Sequence, residues 1–375
     1  MEAELWRIYR PDAAAVWEDE VVRERLSWYY RVMRDEAPAK YHIAARVEAP
    51  GDYREANDEE LWRIHDELAK AFDEEWARQR ERPDVGLASR PLPQASLLDV
   101  KVELAYRQLK GCELCERRCR ADRTKGRGAC LLGAKPRVAS FFHHLGEEAP
   151  LVPSGTIFFA GCNFRCAYCQ NWDISQYPES GVEAGPRELA LIQIKLRREG
   201  ARNVNWVGGE PTPNIPWILD SMRELAKRGV NVPQLWNSNM YLTQRGLSLI
   251  LHAIDIWLPD FKYGSDEHAL RYSVAPRYWE VVTRNFSAIC GRGEDIIIRH
   301  LVLPGHVDCC TRPVLEWIAK NCPRALVNVM DQYHPDYLVP RLAKYREINR
   351  RVSEEEMRRA YRIADELGLA WRQVS

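Results

Sequence analysis

Between residues 156 and 330 the chain alternates short strand-like runs with amphipathic helical ones, and this pattern restricts the fold more than any other feature. Strand-like runs read at 156–160, 203–208, 233–238, 255–261, 295–303 and 325–330, with helical runs at 186–199, 215–228, 243–253, 276–289 and 312–321 between them. Parallel strands joined through a helix cross over with a right-handed sense, and repeats of that unit build a parallel sheet covered by helices. Six units predict an α/β fold: a partial, open (β/α)6 barrel of TIM type over 151–340. In such barrels the chemistry sits on loops at the carboxyl ends of the strands. Conspicuous residues occupy that position strand after strand. A cysteine loop follows the first, Gly208-Gly209-Glu210 the second, and Asn237 and Asn239 end the third. Asp260 and Lys262 end the fourth, Arg299 lies on the fifth, and His334 follows the sixth.

The cysteine loop, Gly161-Cys162-Asn163-Phe164-Arg165-Cys166-Ala167-Tyr168-Cys169, has the spacing C-x3-C-x2-C. Three thiolates on one loop can bind three irons of a cubane cluster and leave the fourth iron open, whereas electron-transfer clusters usually take four cysteines. The competing readings are half of a disulfide framework and a zinc knuckle, for which a fourth ligand would have to fold in from elsewhere. A second group, Cys112, Cys115, Cys119 and Cys130, is interspersed with Gly111, Gly126, Gly128 and Gly133. Its spacing predicts one further metal centre and accepts either zinc or an auxiliary iron–sulfur cluster. Arg117, Arg118, Arg120 and Arg123 either offset thiolate charge there or are solvated.

Composition limits the alternatives. Lys+Arg and Asp+Glu both total 54, so no overall basic field supports nucleic-acid binding. No apolar run approaches the roughly 18–20 residues of a membrane span, and Met1-Glu2-Ala3-Glu4-Leu5 lacks the pattern of a signal peptide. Eleven cysteines, seven of them in the two groups, predict metal or cluster ligands in a reducing cytoplasm rather than disulfides. Residues 1–95 read as a helical extension. Glu60 to Arg82 and Glu18 to Arg34 carry apolar residues at helical spacing, Pro83 to Pro93 reads as a linker, and the segment is expected to cap the barrel rather than to bind a partner. Residues 96–150 form the four-cysteine segment, and 341–375 a helical tail with Ser353 and Glu356 placed as a capping box.

The stretches CELCERRCRADRTKGRGAC, GCNFRCAYCQNWDIS, GGEPTP, WNSNMY, LPDFKYG, IRHLVLPGH and VMDQYHP together resemble the radical S-adenosylmethionine (SAM) superfamily. Within it they are similar to the glycyl-radical-enzyme activases of the pyruvate formate-lyase activating enzyme type and to their PflX-type homologues. The resemblance implies a 4Fe–4S cluster on Cys162, Cys166 and Cys169, with SAM on the open iron. It implies SAM contacts at Gly208, Gly209 and Glu210 and at Asp260 and Lys262. Asn237 and Asn239 share a face and could reach the ribose, Tyr168 is expected near the adenine, and Arg299 and His334 are candidate carboxylate or substrate contacts. Asp260 and Lys262, two apart on a strand, could instead be a structural ion pair. Typical activases with extra clusters carry those cysteines after the SAM loop; here the second group precedes it.

The function implied is that of a radical SAM oxidoreductase: reductive SAM cleavage, then hydrogen abstraction from a protein glycine, another peptide position or a small metabolite. A flavodoxin or ferredoxin would donate the electron. The alternative is a non-catalytic iron–sulfur carrier or sensor.

Overall fold

A computed structural model describes residues 6–375; the first five, read above for a signal peptide, lie outside the described residues. Among the described residues there are eight strands: β1 Arg137–His144, β2 Ser154–Phe159, β3 Val182–Glu183, β4 Asn203–Gly208, β5 Gln234–Ser238, β6 Ile256–Pro259, β7 Ile297–Leu301 and β8 Leu326–Met330. β2, β4, β5 and β6 pair in parallel in that order, and β7 pairs in parallel with β8. Parallel bridges Trp257–Ile296 and Asp260–Arg299 join the two sheets. Six parallel strands therefore run side by side in chain order, as the alternation predicts. β1 and β3 were not foreseen: they extend the β2 edge with antiparallel pairing.

The crossovers carry helices Pro186–Arg198, Ile215–Lys227, Gln244–Leu251, Tyr278–Gly291 and Arg312–Asn321. A further helix, Asp266–Ser273, lies between β6 and Tyr278; its Ser265 N-cap accepts from the His268 N–H. The tail helix Glu354–Glu366 has the expected capping box at Ser353 and Glu356.

The N-terminal helices close the barrel at the amino ends of its strands. Trp17, Val22, Leu26 and Tyr29 pack with Leu235, Ile256, Leu258, Ile297 and Leu326 in one apolar cluster. Acidic groups at the strand starts hold this plug. Asp255 accepts from Trp28 Nε1 at 3.0 Å and Lys40 N at 2.9 Å, and Asp295 from Tyr29 N at 2.8 Å. Lys40 and Glu294 form an ion pair with both side chains fully buried. Glu18 to Arg34, read as one helix, is two (Glu20–Arg25 and Ser27–Met33), because the backbone turns at Leu26 and the second takes its N-terminal acceptor from the barrel. The long helix Asp58–Glu81 begins with a capping box at Asn57 and Glu60.

One expectation is corrected. Cys290 and Cys322, 32 residues apart, are joined as a disulfide, tying the end of helix Tyr278–Gly291 to the end of Arg312–Asn321. The seven grouped cysteines are all free thiols.

Candidate active site

The cysteine loop leaves β2 at Phe159 and wraps the carboxyl end of the barrel. Each thiol has a hydrogen-bonding neighbour, and Cys162 Sγ also lies 3.8 Å from Asn163 Oδ1. The Phe164 N–H donates to Cys162 Sγ at 3.3 Å, Ser273 Oγ lies 2.9 Å from Cys166 Sγ, and Ser175 Oγ lies 3.3 Å from Cys169 Sγ. Burial raises all three thiols, Cys166 to about 11. Metal-free, they are protonated at neutral pH, and loading a metal must expel those protons. From Cys166 a chain of hydroxyls runs inward: Ser273 Oγ to Tyr263 OH at 2.6 Å, and Tyr263 OH to Tyr168 OH at 2.6 Å. The Tyr168 ring meets Tyr333 edge-on, with 5.6 Å between centroids.

A cavity of about 240 Å³ opens beside these thiols. Its walls include Cys162, Cys166, Cys169, Tyr168, Gly208, Gly209 and Glu210, and also Asn237, Asn239, Asp260, Lys262 and Arg299. His334 is half-buried and is not part of this wall, so it is separated from the residues with which the sequence grouped it.

The glycines have a reason beyond ligand approach. A Cβ on Gly208 would lie 2.2 Å from Phe159 N, and one on Gly209 would lie 2.1 Å from Gly161 O. Their bare backbones allow the end of β4 to press against β2 and the cysteine loop. Gly208 has φ of +118°, which an L side chain rarely adopts.

Glu210 is buried, and its carboxylate is fully used within the protein. Oε1 accepts from Thr212 Oγ1 at 2.5 Å and Ser238 Oγ at 2.6 Å, and Oε2 accepts from Asn239 N at 3.0 Å. Burial raises it despite these donors. These bonds tie the end of β4 to the loop after β5, and Glu210 also lines the cavity. Asn239 acts similarly: its Nδ2 donates to Asn163 Oδ1 at 2.7 Å and its Oδ1 accepts from Tyr241 N at 3.0 Å, so it clamps the cysteine loop. Asn237 lines the cavity without such a commitment.

Lys262 Nζ donates to Asp260 Oδ2 at 2.7 Å. Burial opposes the ammonium charge, but Asp260 and the sulfurs of Cys166 and Cys169 outweigh it and raise Lys262. Arg299 is spent on two glutamates: it binds Glu148 through Nε and Nη2, both at 2.7 Å, and pairs with Glu147. Asn328 Nδ2 adds a bond to Glu148 at 2.7 Å, and Asn205 Nδ2 one to Glu147 at 3.0 Å. Arg299 thus lines the cavity, as the sequence reading places it, with its guanidinium paired to two carboxylates. Sequence reading missed Glu147, Glu148, Ser175, Ser273 and Tyr263. A Ser or a Glu remote in sequence gives no sign of which sulfur or guanidinium it will meet.

The four-cysteine segment docks against this loop. The Glu116 N–H donates to Tyr241 O at 3.0 Å, and Cys115 bridges Leu242. Arg117 Nε donates to Asn163 O at 2.6 Å. Gly128 faces two of the thiols: a Cβ there would lie 3.4 Å from Cys119 Sγ and 3.5 Å from Cys130 Sγ. Burial lifts Cys115 to about 12 and raises Cys130, against the pull of Arg123. Arg118 and Arg120 instead pair with Glu116 and Glu113.

Among the described residues, His268, His306 and Cys309 are the one set whose metal-ligating atoms all lie within 4.8 Å of one another. Hydrogen bonds engage both nitrogens of His306, to Pro304 O at 2.8 Å and Tyr272 OH at 3.0 Å, and Nδ1 of His268, to Ser265 Oγ at 3.0 Å.

A sequence model described as the Radical SAM superfamily matches residues 156–318. An uncharacterized protein of Methanocaldococcus jannaschii is 41% identical over 351 residues, which cover 92% of this chain and 98% of that protein. The pyruvate formate-lyase 1-activating enzyme of Escherichia coli is 26% identical over 156 residues, 40% of this chain and 61% of the enzyme. Among solved structures, a domain of a pyruvate-formate lyase-activating enzyme from Bacteroides vulgatus aligns at a TM-score of 0.36 and 18% identity, covering 44% of this chain and 95% of that one. The matched span runs from β2 through helix Arg312–Asn321 and includes the cysteine loop and nearly all of the cavity wall. This chain belongs to the radical SAM superfamily, with distant relatives among the pyruvate formate-lyase activating enzymes.

Proposed function

We propose that this protein is a radical SAM oxidoreductase that abstracts hydrogen from an organic substrate at the mouth of the barrel. The observation that carries this reading is the cavity walled by Cys162, Cys166 and Cys169, with no fourth cysteine in its wall. That donor set suits a 4Fe–4S cluster with one open iron, and an electron carrier would have no use for the adjoining space. A cluster held by Cys162, Cys166 and Cys169 would supply the one-electron chemistry that cleaves SAM reductively at its sulfonium.

The chain's own residues position the reactants. The Phe164 N–H and the Ser273 and Ser175 hydroxyls steady the three thiolates. Asp260 and Lys262 present a carboxylate and an ammonium to the cavity, matched to the ribose hydroxyls and the amino-acid carboxylate of SAM. Asn237 adds an uncommitted amide. Glu210 and Asn239 act indirectly by holding the loops that carry these groups. The apolar plug closes the amino ends of the strands, and Arg299, Glu147 and Glu148 form a charged network beside the cavity.

The electron enters from a flavodoxin- or ferredoxin-type donor in the cytoplasm, and the four-cysteine segment holds a second metal centre. The likeness to an activating enzyme supports a protein glycine as hydrogen donor, with other peptide positions and small metabolites as the remaining classes. Incubating the reduced, cluster-loaded protein with SAM and deuterated candidates tests this. Deuterium recovered in 5′-deoxyadenosine identifies the donor. A loaded protein that fails to bind SAM overturns the proposal.

A further inference from the structure

We propose that His268, His306 and Cys309 bind one divalent ion of the zinc class, separate from both cysteine groups. The ion clasps helix Asp266–Ser273 to the loop after β7. This site stands independently of the function proposed above.

The backbone already presses the two ligand-bearing elements together. His268 lies in the first turn of helix Asp266–Ser273, next to its Ser265 cap. His306 directly precedes a single π-helical turn, Val307–Thr311, and Cys309 belongs to it. Turns of this kind are frequent at functional sites. A Cβ on Gly264 would lie 2.6 Å from Cys309 O and 2.9 Å from Cys310 Cα, so only a bare backbone lets the turn sit against the chain that enters the helix. The turn buries Cys310 and leaves Cys309 exposed, with its sulfur within 4.8 Å of a nitrogen from each histidine.

A count of protons shows what the rings lack. His306 is 7% exposed. Its Nδ1 lies 2.8 Å from Pro304 O, which can only accept, so Nδ1 carries the proton and Nε2 offers a lone pair. That lone pair meets Tyr272 OH at 3.0 Å. The phenol has one proton, and it donates to Glu347 Oε1 at 2.8 Å, a carboxylate also paired with Arg271 at 2.6 Å. His268 is oriented in the same manner. Ser265 Oγ at 3.0 Å and Cys310 Sγ at 3.2 Å engage its Nδ1, which leaves Nε2 to ligate. The two rings stand edge to face with centroids 4.9 Å apart. A proton on His306 would satisfy one nitrogen, whereas a metal ion satisfies both rings and the Cys309 sulfur together. Holding the far nitrogen of each ligating histidine by a polar group is the usual arrangement in metal sites.

The donor set selects the ion. Two imidazoles and a thiolate suit zinc and exclude magnesium and calcium, which take oxygen ligands. Donors at about 2.0–2.3 Å from a tetrahedral ion stand roughly 3.3–3.8 Å apart, so modest side-chain rotations bring all three onto one ion. Binding expels the Cys309 proton, and water reaches the fourth position from the exposed side. The helix so fixed ends at Ser273, whose hydroxyl lies 2.9 Å from Cys166 Sγ.

The test is X-ray diffraction from crystals of the full chain grown with zinc, measured on both sides of the zinc absorption edge. An anomalous peak should lie between His268, His306 and Cys309. Elemental analysis after dialysis should find one zinc fewer per chain in Cys309→Ser than in the wild type, at equal iron content. Chelator competition should show His268→Gln weakened by at least the roughly 10–100-fold that losing an outer-shell partner costs. If the variants do not fold, the wild-type anomalous map still decides. A zinc peak at the four-cysteine group alone, or equal zinc in Cys309→Ser and the wild type, overturns the proposal.

Discussion

The two cysteine groups lie against each other and are built differently. Cys162, Cys166 and Cys169 face a cavity of about 240 Å³ whose far wall carries Asp260, Lys262 and Asn237. None of Cys112, Cys115, Cys119 and Cys130 is part of that wall, and their neighbours are backbone, Arg123 and Asn163. An incomplete ligand set beside open space is arranged for a substrate, whereas a complete set without that space is arranged for structure or electron storage. Fold position follows the same division. The open group sits where strand ends bring side chains from β4, β5, β6 and β7 together, and the closed group is carried on a segment outside the barrel.

The largest effect should come from breaking the open group. Cys166→Ala should abolish SAM cleavage while the metal at the four-cysteine group remains. Assay of 5′-deoxyadenosine together with iron content checks this, and cleavage at the wild-type rate would erase the distinction between the groups.

Asp260→Ala removes a charged partner from the cavity and leaves Lys262 unpaired. Charge-assisted contacts of this kind contribute about 1.5–3 kcal/mol, so the SAM dissociation constant should rise roughly tenfold or more. Iron content should not change. An unaltered dissociation constant with a lowered melting temperature would make the pair structural.

Gly209→Ala forces a methyl group toward Gly161 O, where 2.1 Å is available. Overpacking of this kind costs typically about 1–3 kcal/mol. Because the atom struck belongs to the cysteine loop, the loss should appear as reduced iron retention at the open group as well as a lower melting temperature. Equal iron retention in both groups would show that the loop tolerates the displacement.

The metal-free protein should respond to pH more steeply than the loaded protein. Burial raises Cys115 to about 12 and Cys166 to about 11, from an unperturbed 9.0. A thiol whose folded pKa is raised keeps its proton longer in the fold, so the unfolded chain releases protons first as pH rises. Stability is therefore retained below pH 9 and declines between about pH 9 and pH 11–12. Buried tyrosines such as Tyr29 and Tyr241, raised to about 12, add a decline common to both samples. Denaturation of metal-free and loaded samples across that window should therefore show the steeper decline in the metal-free one.

The smallest expected effect is at Ser273. Ser273→Ala removes the hydroxyl 2.9 Å from Cys166 Sγ. Hydrogen bonds to cluster sulfurs tune the reduction potential, so a more negative potential with unchanged iron content is expected. A spectroelectrochemical titration reads it directly.

How much of this was legible in the sequence depended on distance along the chain. The parallel strands were, because Thr156 to Phe159 and Asn203 to Gly208 are short buried runs separated by helices of matching length. Both cysteine groups were, because their ligands are close in sequence. β1 was not: its Phe141 and Phe142 are exposed at 40% and 42%, so the run lacks a buried face that alternation could reveal. Helix Asp266–Ser273 was missed because its residues are mostly polar. The Cys290–Cys322 disulfide and the embrace of Arg299 by Glu147 and Glu148 join residues far apart, and only the closed barrel brings them together. Arg299 and Glu210 share a further lesson. Each was recognisable as a charge at a strand end, but whether a charge faces a ligand or is consumed by the protein depends on partners that the sequence does not show.

The account rests on the open group acting on SAM, and one measurement addresses that directly. Anaerobically reconstituted protein, reduced with dithionite and mixed with SAM, should yield 5′-deoxyadenosine and methionine in equal amounts, detected by chromatography and mass spectrometry. Fully iron-loaded, reduced protein that leaves SAM intact and binds none of it would contradict the account.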